Sequence, residues 1–132
     1  MTRISARDAA TWFAVASLLR VAIALQGVVF LDRLFLPDDT YYSLSIARHI
    51  AAGDGPTTDG MILTNGFQPL ITFLQVPLFW LGSGLDQAVR WACCESALFG
   101  AAGVACLGLL VARAHGRRAG WFAALAAAFN PC

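Results

Sequence analysis

The stretch that decides the fold is residues 9–31, AATWFAVASLLRVAIALQGVVFL, an apolar run with a single charged residue, Arg20. About 20 apolar residues are enough for a helix to cross a bilayer, whereas the apolar part of a cleaved signal peptide usually runs about 7–15 residues and ends at a small-x-small site. This run is longer and is followed by Asp32, Arg33 and bulky apolar residues. It therefore predicts an uncleaved first transmembrane helix.

The composition of the whole chain favours a membrane protein. Of its 132 residues, 58% are hydrophobic and 13% are charged, and the mean hydropathy is +0.66. A soluble domain usually carries about 25% charged residues. The net charge of +1 predicts no nucleic-acid partner. The four cysteines form no CxxC pair, and most lie in an apolar run where a thiol behaves as a small hydrophobe, so they predict no metal site.

Three further apolar segments follow the first. Residues 67–85 are short and interrupted by prolines, so a second spanning helix and a re-entrant segment are both open. Residues 92–112 predict a third spanning helix. Residues 119–132 begin a fourth, but about 13 residues are too few to cross a bilayer. We therefore expect residues 1–132 to be the N-terminal part of a larger transmembrane domain.

The predicted fold is an all-α membrane protein. It has three to four transmembrane helices and an outer loop, residues 32–66, with an interfacial amphipathic helix. Arg3 and Arg7 favour a cytoplasmic N-terminus, which places this loop outside. Three spans would then put the basic turn RAHGRR, residues 113–118, outside as well, against the positive-inside rule. A re-entrant segment at 67–85 would remove that conflict.

Two features inside the predicted spans suggest helix packing or function. Arg20 lies mid-span, where a charge is costly and marks a partner or a functional cavity. Glu95, near the start of the third run, is a candidate partner, although it could equally lie at the interface. Ser96, Gly100 and Gly103 share one side of the third helix, where small residues allow close packing.

The outer loop contains the polar chemistry of the chain. Its first part, PDDTYYSLSIARHI, predicts an N-cap at Asp38 and an amphipathic helix over residues 39–52 that Gly53 ends. Asp38, Tyr42, Ser45 and His49 share one face of it. An amphipathic helix after a membrane span is expected to lie in the interface plane. The plain interpretation of Asp38 and Asp39 is a helix cap and a dipole partner. The functional interpretation is a carboxylate base at the membrane surface.

The other candidates also have two interpretations. Tyr41 and Tyr42 could simply lie in the lipid headgroup region, where tyrosine is enriched. Arg48 and His49 could contact a lipid phosphate or could simply be solvated. Two adjacent carboxylates could hold a divalent metal ion together with water ligands, so a metal cofactor is possible but not required. Further along, TTDGMILTNGFQPL contains two turn dipeptides, Asp59-Gly60 and Asn65-Gly66, before the next helix.

The order of these motifs resembles the GT-C superfamily of polytopic membrane glycosyltransferases, in the bacterial branch related to protein O-mannosyltransferases and lipid A aminoarabinose transferase. The resemblance rests on PDDTYYSLSIARHIAAGDG (37–55), TNGFQPL (64–70) and QAVRW (87–91). It implies sugar transfer from a polyprenyl-phosphate carrier to a cell-envelope acceptor on the outer side of the plasma membrane. The implied partners are the lipid-linked donor, membrane lipids and the further helices of the parent enzyme. Without those helices the fragment is expected to be inactive.

By the same resemblance, individual residues acquire roles. Asp38 takes the place of the catalytic carboxylate and Asp39 that of its acidic neighbour. The implied substrate-binding residues are Tyr42, Arg48, His49, Asn65 and Gln68. Two alternatives remain open: a small non-enzymatic membrane protein that binds partner helices, and a transporter fragment suggested by Arg20 and the interrupted 67–85 segment.

Overall fold

A computed structural model describes residues 5–34, 36, 38–82 and 84–130, and the described part is helical except for its connecting segments. Its six helices are α1 (Ala6–Ala24), α2 (Val28–Leu34), α3 (Asp38–Ala52), α4 (Pro69–Trp80), α5 (Leu85–His115) and α6 (Arg117–Ala128). The described residues contain no β-strand, and their one isolated β-bridge joins Thr57 to Leu63. The all-α prediction is confirmed at this level.

The first apolar run is divided between two helices. Ser5 caps α1, accepting a hydrogen bond from the Asp8 backbone N–H, while the Asp8 carboxylate accepts one from the Ser5 N–H in return. The helix ends at Ala24, and α2 begins only after Leu25, Gln26 and Gly27. The prediction of one continuous helix over 9–31 is therefore wrong. Glycine is a poor helix former, and hydropathy alone does not register that break.

Among the described residues, only one helix is long and apolar enough by itself to cross a membrane. This helix is α5, whose 31 residues extend about 46 Å. The pair α1 and α2 passes the same test only when both helices are counted together across a bend. The 12 residues of α4 extend about 18 Å, which is short of an apolar bilayer core of about 30 Å. The described residues thus contain one or two candidate spans, and three to four are not confirmed.

Helix bounds also differ from the predictions near the end of the chain. The third predicted segment, 92–112, lies within the longer α5, whose first turns carry polar residues that hydropathy does not count as membrane. The fourth, 119–132, begins at Arg117 and ends at Ala128 with Phe129 as its C-cap. Asn130 precedes a proline, and a residue in that position disfavours the α-helical conformation. The predicted helix over 119–132 therefore ends at Ala128, and its last two positions, 131 and 132, lie outside the described residues.

Contacts divide the chain into two compact units. The first, here the terminal unit, contains residues 1–26 and 93–132, so it includes α1, most of α5 and α6. Its core is built from small and aromatic side chains: Trp12, Ala16, Ala101, Val104, Ala112, Ala124 and Ala128. Trp12 packs edge-on against Trp121, with 5.5 Å between ring centroids. The core therefore depends on close approach between helix backbones around one large ring.

Glycines of α5 and α6 permit that approach. A Cβ atom at Gly108 would lie 2.6 Å from the Trp12 ring, and one at Gly120 would lie 2.7 Å from the Gly108 carbonyl oxygen. Of the three predicted packing positions, Gly100 lies against α1, since a Cβ atom there would be 3.2 Å from Arg20 Nε. Ser96 and Gly103 are exposed, and nothing lies within 4 Å of a Cβ at Gly103. The structure therefore uses small residues for close packing at Gly100, Gly108 and Gly120, and not at Ser96 or Gly103.

Two arginines of the terminal unit have partners within it. Arg20 donates from Nη2 to the carbonyl oxygens of Ala127 and Asn130, at 3.1 and 3.2 Å. These groups lie at the C-terminal end of α6, where a cation complements the helix dipole. Arg117 donates to both carboxylate oxygens of the buried Asp8, which raises the pKa of Arg117. Arg20 therefore has carbonyl partners within the chain, and Glu95 is not among its hydrogen-bond partners.

The second unit, here the loop unit, contains residues 27–92. Within it α3 packs against α4. Leu44, Ile46 and Ala47 on α3 are completely buried, and so is Thr72 on α4. The Trp80 indole N–H donates to the Ala51 carbonyl oxygen at 3.2 Å, which joins the ends of the two helices. This unit holds all the residues to which the sequence assigns chemistry.

Candidate functional site

The adjacent carboxylates lie at the start of α3. The helix begins at Asp38, so Asp38 and Asp39 occupy its first turn, and both side chains are exposed. Asp38 is thus the first helical residue rather than the cap expected from its sequence position. Both carboxylates still lie at the positive end of the helix dipole, which stabilises negative charge. Within the described part of the chain, neither side chain has a hydrogen-bond or ion-pair partner.

The polar face of α3 is covered by the segment that follows the helix, residues 53–68, here called the loop. Tyr42 Oη lies 3.2 Å from Thr64 Oγ1, and Ser45 Oγ donates to the Thr58 carbonyl oxygen at 3.1 Å. His49 Nδ1 lies 2.9 Å from the Asp54 carboxylate. The predicted shared face of Tyr42, Ser45 and His49 is confirmed by these contacts. That face binds the loop, however, and α3 does not lie as a free amphipathic helix.

The loop itself is ordered by a turn around Asp59. One oxygen of this carboxylate, Oδ1, accepts hydrogen bonds from the N–H groups of Met61 and Ile62 and from the hydroxyl of the buried Thr57, at 2.9–3.0 Å. The backbone bonds, Ile62 first, lower the pKa of Asp59 from 3.8 to about 2. The turn at Asp59-Gly60 predicted from sequence is therefore present.

Gly60 is required at this turn for two reasons. Its φ of +74° lies in the left-handed region that disfavours other residues. A Cβ atom there would also approach the His49 ring, at 3.2 Å from Cε1. At the other side of the loop, Thr64 donates its backbone N–H to the Pro56 carbonyl oxygen at 2.8 Å. The loop is thus closed on itself as well as on α3.

The other predicted substrate-binding residues are solvent-accessible. Arg48 is exposed on α3, Asn65 is exposed in the loop, and Gln68 is exposed at the N-cap of α4 without a side-chain cap bond. Their proposed roles stay predictions. Tyr41, the neighbour of Tyr42, donates its hydroxyl to the Asp32 carboxylate at 2.8 Å.

The spacing along α3 separates these residues into two groups. At 1.5 Å per residue, Tyr42 lies about 6 Å along the helix axis from Asp38 and shares its face. Arg48 and His49 lie about 15 Å and about 16 Å from it by the same rise. A reacting centre at Asp38 is therefore within reach of Tyr42. Arg48 or His49 would contact a different part of any bound molecule.

Sequence reasoning missed the buried polar residues of this unit. Thr57, Thr72 and Gln75 are at most 3% exposed. Thr57 orders the Asp59 turn, as its i, i+2 spacing from that aspartate could have signalled. Thr72 Oγ1 and Gln75 Oε1 are buried on α4, and no partner for either atom exists among the described residues. Nothing in the apolar sequence of α4 distinguishes these two positions.

Neither metal ligands among the described residues nor similarity to known proteins points to a function. The described residues contain no group of three or more His, Cys, Asp or Glu side chains that could hold a metal ion. Comparisons with protein-family profiles, curated proteins and solved structures found no match. The function must therefore be argued from the exposed carboxylates at the start of α3 and from the surface around them.

Proposed function

We propose that this chain forms part of a membrane glycosyltransferase that moves a sugar from a polyprenyl-phosphate carrier to a cell-envelope acceptor. The observation that carries the proposal is a pair of exposed carboxylates without a partner in the described chain, in the first turn of a helix whose remaining polar face is fixed by a loop. An ion pair or capping bond would leave a carboxylate less free to take a proton. The carboxylates of Asp38 and Asp39 have no such bond within the described residues, so they are free to accept a proton from a substrate.

The proposed chemistry requires one base. Asp38 accepts the proton of the acceptor hydroxyl as its oxygen bonds to the sugar anomeric carbon. The bond between that carbon and the carrier phosphate oxygen breaks, and the electron pair leaves with the phosphate. Because a phosphate is already a stable anion, its departure requires no acid. In this proposal Tyr42, one turn further along the same face, donates a hydrogen bond to the bound sugar and accepts one from Thr64 Oγ1, which lies 3.2 Å from its hydroxyl.

The helix lengths support a specific membrane arrangement. If the first apolar run crosses the membrane once and α5 crosses back, an inner N-terminus puts residues 32–66 outside and residues 113–118 inside. The basic turn then obeys the positive-inside rule. The short α4 would stay on the outer side as the re-entrant or interfacial segment. This arrangement brings Asp38 to the side where the lipid-linked donor and the envelope acceptor meet.

One of the two features behind the transporter alternative, Arg20, also has a structural explanation. Arg20 Nη2 donates two hydrogen bonds to carbonyl groups at the end of α6, while its Nη1 is buried without a partner among the described residues. A cation that stabilises a helix end has a structural role without a transported ligand.

The experiment compares Asp38→Asn with Asp39→Asn in the full-length protein that contains this chain. Membranes carrying each variant are supplied with polyprenyl-phosphate-linked sugar, and transfer to the envelope fraction is measured. Removing a general base typically lowers a rate by about 10²–10⁴-fold, so we expect a loss of that order for Asp38→Asn and a smaller one for Asp39→Asn. Immunoblotting of washed membranes controls for insertion. Normal transfer by a fully inserted Asp38→Asn variant would sink the proposal.

A further inference from the structure

The loop of the loop unit exposes three consecutive apolar side chains. Met61, Ile62 and Leu63, here called the apolar tip, are 87%, 73% and 69% exposed. Apolar side chains on a protein surface are common singly, but three in a row at a turn form a projecting apolar surface. An exposed apolar surface of this kind often marks a site that contacts a protein partner or a membrane.

Hydrogen bonds hold the backbone of the apolar tip in the loop. Asp59 Oδ1 accepts the N–H groups of Met61 and Ile62, and Thr57 bridges to Leu63 on the opposite side of the loop. Ser45 fixes the base of the loop to α3 through the Thr58 carbonyl oxygen. These bonds fix the backbone from which the three exposed side chains project.

The surroundings of the apolar tip match lipid better than a charged partner. From Gly55 to Leu85 the sequence has one charged residue, Asp59, and its Oδ1 oxygen already accepts three hydrogen bonds. At the start of α4, Leu70 and Phe73 are exposed as well. His49 and Asp54 lie beside Gly60, but they pair with each other at 2.9 Å. A protein partner would normally be oriented by charges at the rim, and the only other charge in this segment is Asp59.

The helix expected to contact the membrane has no apolar face left for it. Leu44, Ile46 and Ala47 of α3 are fully buried in the packing of the loop unit. An interfacial helix needs such side chains on its surface to enter the headgroup region. In the loop unit, the apolar tip supplies the exposed apolar side chains that α3 lacks.

We propose that the apolar tip inserts into the outer face of the lipid bilayer and anchors the loop unit there. Met61, Ile62 and Leu63 enter the boundary between headgroups and acyl chains, while the polar base of the loop stays in water. The inference depends on the chain being in a membrane and not on sugar transfer. It can therefore hold or fail separately from the proposed activity.

The two methionines of the chain, Met1 and Met61, allow a direct test. The whole chain is labelled with ¹³C-methyl methionine and placed in phosphatidylcholine nanodiscs, and its two methyl signals are recorded by NMR. A Met61→Leu variant assigns the signals by removing one of them. We expect lipid carrying a nitroxide near the headgroup to remove most of the Met61 intensity. A water-soluble gadolinium chelate should leave that signal in place.

Each other result overturns the proposal. Broadening of the Met61 signal by the gadolinium chelate means that the tip lies in water, whatever the labelled lipid does. A signal unaffected by either reagent means that protein covers the tip, from another segment or a second copy. As a second variant, Ile62→Ser should reduce the broadening by labelled lipid if the tip acts as one inserted surface. Unchanged broadening in this variant would contradict insertion through the tip.

Discussion

At the scale of single residues, Asp59 contributes more to the site than its sequence position suggests. Its carboxylate binds two backbone N–H groups and one hydroxyl, and these bonds hold its pKa at about 2, below its ordinary 3.8. The ionised form is therefore the one that the folded loop prefers. Its stabilising contribution is present above about pH 4 and is lost as the pH falls towards 2.

This linkage gives a residue-scale prediction. Amide hydrogen exchange at Met61 and Ile62, followed from pH 5 down to about pH 2 and corrected for intrinsic rates, should show protection lost at the acid end as Asp59 protonates. Asp59→Ala should remove the protection at every pH, because no acceptor remains. Asp59→Asn keeps an acceptor oxygen and serves as the matched control, in which the steep pH dependence should disappear. Identical pH profiles for the native chain and Asp59→Asn would contradict this role.

At the scale of elements, the polar periodicity of α3 was the strongest guide in the sequence. Residues spaced at Tyr42, Ser45 and His49 share a face under any helical geometry, and the structure uses that face for hydrogen bonds. What covers the face could not be read from spacing, since water, lipid and a folded loop all suit polar side chains. Similarly, hydropathy detects α5 but not the break at Gly27, because a run can remain apolar while its backbone changes direction.

The glycine contacts give an element-scale prediction. Gly120→Ala places a methyl group 2.7 Å from the Gly108 carbonyl oxygen, and we expect it to destabilise the chain by about 1–3 kcal/mol, as overpacking generally does. Gly103→Ala is the matched control. It meets nothing within 4 Å and should be neutral or stabilising by up to about 1 kcal/mol through helix propensity. Thermal unfolding in detergent, followed by circular dichroism, measures both. Equal stability of the two variants would rule out the close approach.

At the scale of the whole molecule, helix lengths bear on how the chain could cross a membrane. Composition predicted a membrane protein, but it could not count the spans, because α4 is apolar and yet extends only about 18 Å. Nor could it separate the residues into a terminal unit and a loop unit, since that division depends on contacts between distant segments. A short α4 would reconcile the basic turn at 113–118 with an inner N-terminus.

Cysteine labelling tests this topology. Thr58→Cys and His115→Cys place thiols at exposed side chains in the loop and at the end of α5. A membrane-impermeant maleimide applied to intact cells should label Thr58→Cys at once and His115→Cys only after permeabilisation. The unmodified chain controls for its native cysteines. Labelling of both positions from outside would contradict a single crossing by α5 and would favour a spanning segment at 67–85.

The central claim, that Asp38 takes the proton in a sugar transfer, is tested most directly by product release. The full-length protein containing this chain is purified into nanodiscs with polyprenyl-phosphate sugars and an envelope acceptor, and free polyprenyl phosphate is measured over time. We predict acceptor-dependent release that falls by about 10²–10⁴-fold in Asp38→Asn. Acceptor-dependent release at the native rate in Asp38→Asn, or its complete absence in the native protein across such donors, would contradict the claim.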